Sequence, residues 1–80
     1  MKGIIMVILV FGQLQDITGT DTLHIKQVEG KKQLSDALFE LFPRLQETKF
    51  VIAIDRQIID GDAPIGPNAC IALLPPFSGG

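Results

Sequence analysis

The sequence predicts an α+β domain, a mixed sheet of four to five strands with one main helix on one face. Three observations predict it. A β-branched apolar run occupies residues 4–11, and one helical period runs from Leu34 to Leu45. Short apolar runs broken by Gly, Pro and Asp then follow to the end.

Residues 4–11, Ile-Ile-Met-Val-Ile-Leu-Val-Phe, lie between Gly3 and Gly12. The run is apolar at odd and even positions alike, which predicts a central strand. Residues 12–21 form a connection with a helical turn, closed by Gly19-Thr20-Asp21. Residues 22–28 alternate, with Leu23, Ile25 and Gln27 on one side, and give a second, half-buried strand.

The helix spans residues 31–42. Leu34, Leu38, Leu41 and Leu45 keep the 3.6-residue period with Ala37 on the same stripe, so Leu34, Leu38 and Leu41 are expected in the core. Gly30 is the expected N-cap. Pro43 disfavours helical geometry at Phe42 and ends the helix there. Lys31 and Lys32 sit at the positive end of the helix dipole and are expected to be solvated. Residues 50–54 form a third strand, and Asp55-Arg56 turns it into a short fourth at 57–59. Residues 60–68 hold Gly61, Pro64, Gly66 and Pro67 and read as a loop. Residues 70–74 are a last strand, stopped by Pro75-Pro76, which cannot continue a ladder. The order β-β-α-β-β-β is that of the β-grasp (ubiquitin-like) fold, in which the first and last strands lie parallel at the sheet centre. Residues 1–76 are thus one β-grasp domain, and residues 77–80 a flexible tail.

Eighty residues with 46% hydrophobic side chains suffice for one small core. A net charge of −2 gives no basic footprint for nucleic acid. The apolar run at 4–11 is too short to span a bilayer, and Gly12-Gln13-Leu14-Gln15 offers no small-x-small cleavage site after it. No membrane role is expected. One Cys excludes an internal disulfide and suits the reducing cytoplasm.

Side-chain catalysis finds little support. No nucleophile elbow and no phosphate-cradling loop are present. His24 is the only His and is expected at the surface. Asp60-Gly61-Asp62 lacks the other oxygen ligands of a calcium loop, and no metal site is expected. Cys70 reads as a small packed hydrophobe rather than a reactive thiol.

Two features remain. One helix covers one face of a small sheet, yet Ile5, Val7, Leu9 and Phe11 oppose an equally apolar Ile4, Met6, Ile8 and Val10. One set therefore faces a partner, unless the loop from Gly12 to Gly19 covers it. The other feature is Pro75-Pro76-Phe77-Ser78-Gly79-Gly80. A terminal Gly-Gly arises by chance in roughly one chain in 200. The prolines stiffen the exit from the sheet, and the glycines bring no side chains. Such a tail can thread a narrow channel and place a carboxylate in another protein's active site.

The segments Ile-Leu-Val-Phe-Gly-Gln-Leu-Gln-Asp-Ile-Thr-Gly-Thr-Asp at 8–21 and Leu-Leu-Pro-Pro-Phe-Ser-Gly-Gly at 73–80 resemble the two terminal signatures of molybdopterin synthase small subunits. Phe42-Pro43 and residues 53–65 also fit. The resemblance implies a ubiquitin-like sulfur carrier, the non-catalytic sulfur donor of the synthase. An E1-like adenylating enzyme would use ATP to adenylate Gly80 and then convert it to a thiocarboxylate, with no cofactor held permanently. The carrier would dock on the synthase large subunit, in a heterotetramer, and deliver sulfur to cyclic pyranopterin monophosphate for molybdenum cofactor biosynthesis. Gly79 would thread the channel, and Phe11, Ile58, Leu74 and Phe77 would contact partners. Three departures stand out. Gln15 replaces a common Arg, Pro67-Asn68-Ala69-Cys70 replaces an acidic turn, and Leu73-Leu74 replaces a commonly aromatic pair. A thiamine-type carrier shares the fold and the Gly-Gly tail, and a β-grasp interaction module without tail chemistry is the reading from a different class.

Overall fold

The computed structural model describes residues 5–76. Strand β1 runs Ile5–Val10, β2 Thr22–Lys26, β3 Val51–Ile54, β4 Gln57–Ile58 and β5 Ile71–Leu74. The five form one mixed sheet in the order β2-β1-β5-β3-β4. Strands β1 and β5 are parallel and central, while β1–β2, β3–β5 and β3–β4 pair antiparallel. A short helix α1, Gln15–Thr18, follows a 3₁₀ turn at Gly12–Leu14, and the main helix α2 is Lys31–Leu41. This is the expected β-grasp arrangement. The central position of β1 and β5 follows from their composition, since the two flanking strands are the more polar or the shorter.

The core lies between the sheet and α2. Ile8, Leu34, Leu38, Ile71 and Leu73 are fully buried there, together with Leu14 and Leu45. Burying a side chain of this size contributes about 1.5–3 kcal/mol. Leu41 departs from the expected stripe and is 58% exposed. Phe42 leaves helical geometry (φ −133°, ψ 83°) ahead of Pro43, and a 3₁₀ turn at Pro43–Glu47 redirects the chain. Leu45, carried by that turn, is fully buried in the core while Leu41, the last residue of α2, is not. Gln27 also departs, since β2 ends at Lys26 and the Gln27 amide instead donates to the Val28 carbonyl at 2.8 Å.

The start of α2 is capped from a distance. Gly30 is the N-cap but brings no side chain. Asp62, thirty residues beyond Lys32, accepts hydrogen bonds at 2.9 Å from the backbone N–H groups of Lys32 and Ala63. These bonds, helped by the nearby Lys32 and Lys31 charges, hold its carboxyl below the usual carboxylate range, although some desolvation opposes them. The loop is further stitched to the helix start by Lys31 N–H to the Ala63 carbonyl and Ile65 N–H to the Glu29 carbonyl, at 2.8 and 2.9 Å. Lys31 is not simply solvated: its ammonium donates to the Ile59 carbonyl.

Candidate docking face and tail root

Strand β1 alternates between two environments. Met6, Ile8 and Val10 are buried under α2, while Ile5, Val7, Leu9 and Phe11 are 55%, 48%, 38% and 44% exposed. The segment after β1 does not cover the second set. Its anchor, Leu14, is fully buried within the helix-side core, and Ile17 packs against that core too.

The register assembles the open face from all five strands. Thr22 pairs with Leu9, Leu9 with Ala72, Ala72 with Ala53 and Ala53 with Ile58, so one row crosses the whole sheet. Ile58 is 49% exposed at the β4 edge. Nearer the C-terminal end of β5, half-buried Leu74 pairs with Val51. The Phe11 N–H donates to the Leu73 carbonyl at 3.0 Å, which fixes Phe11 beside the end of β5. The structure thus brings Phe11, Ile58 and Leu74 onto one face. Phe77, Gly79 and Gly80 lie outside the described residues.

The exit of β5 is shaped by β1. Gly12 has φ +63°, and a Cβ there would lie 2.7 Å from Pro75 Cγ. Glycine lets the chain turn sharply off β1 while the proline ring sits against it. The Gln15 amide donates to the Val10 carbonyl at 3.0 Å, so this side chain braces the same corner. A cleft of about 490 Å³ shares Pro76 with the tail root and includes Lys31, Phe39 and Phe50. A groove of about 350 Å³ lies on the open face between β1 and the loop before β5, lined by Ile5, Val7, Leu9, Pro67, Ala69 and Cys70.

Cys70 is exposed, contrary to its reading as a packed hydrophobe. It shares strand parity with Ala72 and Leu74, and that parity points away from the helix. Its backbone is well held, because its N–H donates to Asp55 Oδ1 at 3.0 Å and its carbonyl accepts from Asp55 N–H at 2.8 Å. Asp55 and Arg56 form the two-residue β3–β4 turn with φ of 52° and 70°, the left-handed pair such a hairpin needs. The turn before β5 closes by Ala69 N–H to the Gly66 carbonyl at 3.3 Å. Asn68 is not left-handed there, so this loop does not use the freedom that Asn offers. Asp62, the helix cap, is a structural carboxylate that local sequence reasoning missed. The Asp-Gly-Asp spacing was its only signal, and it read as a plain loop.

The described residues thus present an apolar sheet face beside a chain exit stiffened by Pro75 and Pro76. The profile of the ThiS family matches residues 8–80. The chain belongs to the ThiS family, the ubiquitin-like sulfur carriers. Carriers of this family work with partner enzymes. Among the described residues, no helix is long and apolar enough to cross a membrane.

Proposed function

We propose that the carboxylate of Gly80 is the sulfur-bearing group and that the chain serves molybdopterin synthesis. In this reading an E1-like adenylating enzyme docks on the open face. The Gly80 carboxylate attacks the α-phosphorus of ATP and releases pyrophosphate, giving an acyl-adenylate. Hydrosulfide then attacks the acyl carbon, the C–O bond to AMP breaks, AMP leaves, and loss of the thiol proton gives a thiocarboxylate. The domain contributes no acid or base. It contributes a rigid root, with Pro75 seated on Gly12, and an apolar surface that delivers the tail. Positioning of this kind matters because misplacement by ~1 Å can cost about a hundredfold in rate.

The observation that carries the reading is the family match extending through Gly79 and Gly80. Beside it stands the exposed row of Ile5, Val7, Leu9 and Phe11 leading toward the exit of β5. The choice of molybdopterin rests on the two signatures at 8–21 and 73–80. The Pro-Pro-Phe approach to the glycines is what favours it over a thiamine-type carrier. In the synthase the same face would meet the large subunit, with Phe11, Ile58, Leu74 and Phe77 as contacts. The thiocarboxylated protein, mixed with a molybdopterin synthase large subunit and cyclic pyranopterin monophosphate, should yield the dithiolene product. Sulfur transfer only to a thiazole synthase would assign the chain to the thiamine branch instead.

A further inference from the structure

We infer that the four residues after Pro76 dock back into the helix-side cleft of their own domain, with the Phe77 ring against Phe39 and Phe50 and the terminal carboxylate on Lys31. The free carrier then holds its tail closed until a partner draws it out. The contact itself needs no sulfur chemistry, and its consequence for the adenylating enzyme rests on the function proposed above. The cleft, of about 490 Å³, lies between α2 and the β3–β4 side of the sheet, within the size range of pockets that hold a small ligand. Phe39 and Phe50 are half-buried there and meet edge to face, with ring centroids 6.1 Å apart. Ile59 lines the far end, Pro76 forms the near end, and residues 77–80 follow Pro76 directly. A third ring fits such a pair at the same spacing, and Phe77 is the aromatic residue that follows the cleft.

The reach of the tail matches the cleft. Leu74 pairs with Val51, so Pro76 stands level with Lys49, which lines the cleft beside it. The Ile59 N–H donates to the Ile52 carbonyl, and the Lys31 ammonium donates to the carbonyl of Ile59. From Pro76 to that point is two strand spacings across the sheet and three residues along it, roughly 14 Å. Four extended residues span up to about 14 Å, so the carboxylate of Gly80 meets Lys31 and a shorter tail would not. An ammonium has three N–H donors, and the Ile59 carbonyl uses one. The surrounding charges favour an anion by a small margin. Lys31, Lys32 and Lys49 stand against Asp60 in the cleft and Asp62 at the helix start. Ordering the four residues opposes closure, and the two prolines limit the freedom of the root in either state. The grip is therefore weak, as a tail that must be surrendered requires. Phe77 cannot lie in the cleft and on a partner at once, so closure and docking exclude each other.

The test is ¹H–¹⁵N NMR of the free chain at low salt. Phe77→Ala touches no core residue. It should shift the amide signals of Ser35, Phe39, Phe50 and Ile59 and leave those of Val7, Leu9 and Phe11 in place. Lys31→Met should lower the heteronuclear NOE of Gly80 to that of a free terminus, and Lys31→Arg should restore it. Shifts confined to the neighbours of Phe77, or found on the open face instead, overturn the inference and leave the cleft to a partner's segment. A Gly80 NOE already that of a free terminus in the wild type overturns it too. With the adenylating enzyme, ATP and sulfide, Lys31→Met should lower KM for the carrier by roughly three- to tenfold with kcat unchanged, as expected when the open state is populated roughly a tenth to a third of the time. A KM that does not fall overturns the inhibitory role of the contact. If the wild type accepts no sulfur, the carrier reading fails, whereas the contact stands or falls on the NMR alone.

Discussion

The two faces of the sheet are built from nearly the same amino acids and meet different fates. On β1, Ile8 is fully buried and its neighbours Val7 and Leu9 are 48% and 38% exposed. The strand's own composition does not distinguish them. The helix does, because Leu34, Leu38 and the redirected Leu45 cover one parity only. Apolar character along a strand thus records what must leave water at some stage, and not whether the cover comes from the same chain. A face of this kind left uncovered in the free domain is the surface on which a docking partner is proposed to act.

The sharpest way to break this comparison is to damage the covered face. Leu38→Ala should destabilise the domain by about 2–5 kcal/mol, the cost of a large-to-small change in a packed core. A domain of this size has on the order of 5 kcal/mol in total, so equilibrium denaturation should find the variant largely unfolded. An unchanged denaturation midpoint would remove Leu38 from the core. On the open face the same severity of change should leave the fold alone. Phe11→Glu should give a native circular dichroism spectrum and lose tenfold or more in affinity for the adenylating enzyme, since an unpaired carboxylate buried at an interface is costly. Unfolding of the free Phe11→Glu variant would reverse the assignment of the two faces.

Smaller effects sharpen the boundary between the faces. Asp62→Ala should lower the melting temperature by uncapping α2 at neutral pH. The folded-state carboxyl titrates below its unfolded counterpart. Its contribution is therefore fully present above the ordinary carboxylate pKa and is lost as pH falls through the lowered one. Wild type and Asp62→Ala should accordingly converge in stability in acid, as thermal melts across that range would reveal. A gap that persists below both titrations would assign Asp62 a role other than capping. The smallest effect belongs to Leu41→Ala, expected within about 0.5 kcal/mol despite its place on the helical stripe. A loss as large as that from Leu38→Ala would put Leu41 back in the core.

Much of the fold was legible in the sequence because the signals were local. The 3.6-residue period located α2, the β-branched run located β1, and Pro75-Pro76 marked the end of β5. Leu41 was misread because the period continues to Leu45 although the helix does not. Its end at Phe42 was legible from Pro43, but the consequence for Leu41 depended on the path of the turn that follows. Asp62 was illegible for a different reason. A cap thirty residues from the Lys32 N–H it satisfies leaves no local pattern, since the contact exists only after the loop folds back. Cys70 shows the same limit, because its parity was evident while the side of the sheet left uncovered was not. Of the candidate site, Phe11, Ile58 and Leu74 could be named from the resemblance, but their placement on one face required the strand order.

The central claim is that the reacting atom belongs to the main chain at Gly80 and to no side chain. Intact-protein mass spectrometry after incubation with ATP, sulfide and the adenylating enzyme tests it most directly, comparing the native-length protein with one extended by a single residue. The extension displaces the carboxylate by up to about 3.6 Å. The native-length protein should exchange one oxygen for sulfur, mapped to Gly80, while the extended protein folds, binds and accepts none. Equal exchange of oxygen for sulfur in both proteins, mapped to a carboxylate other than that of Gly80, would contradict the account.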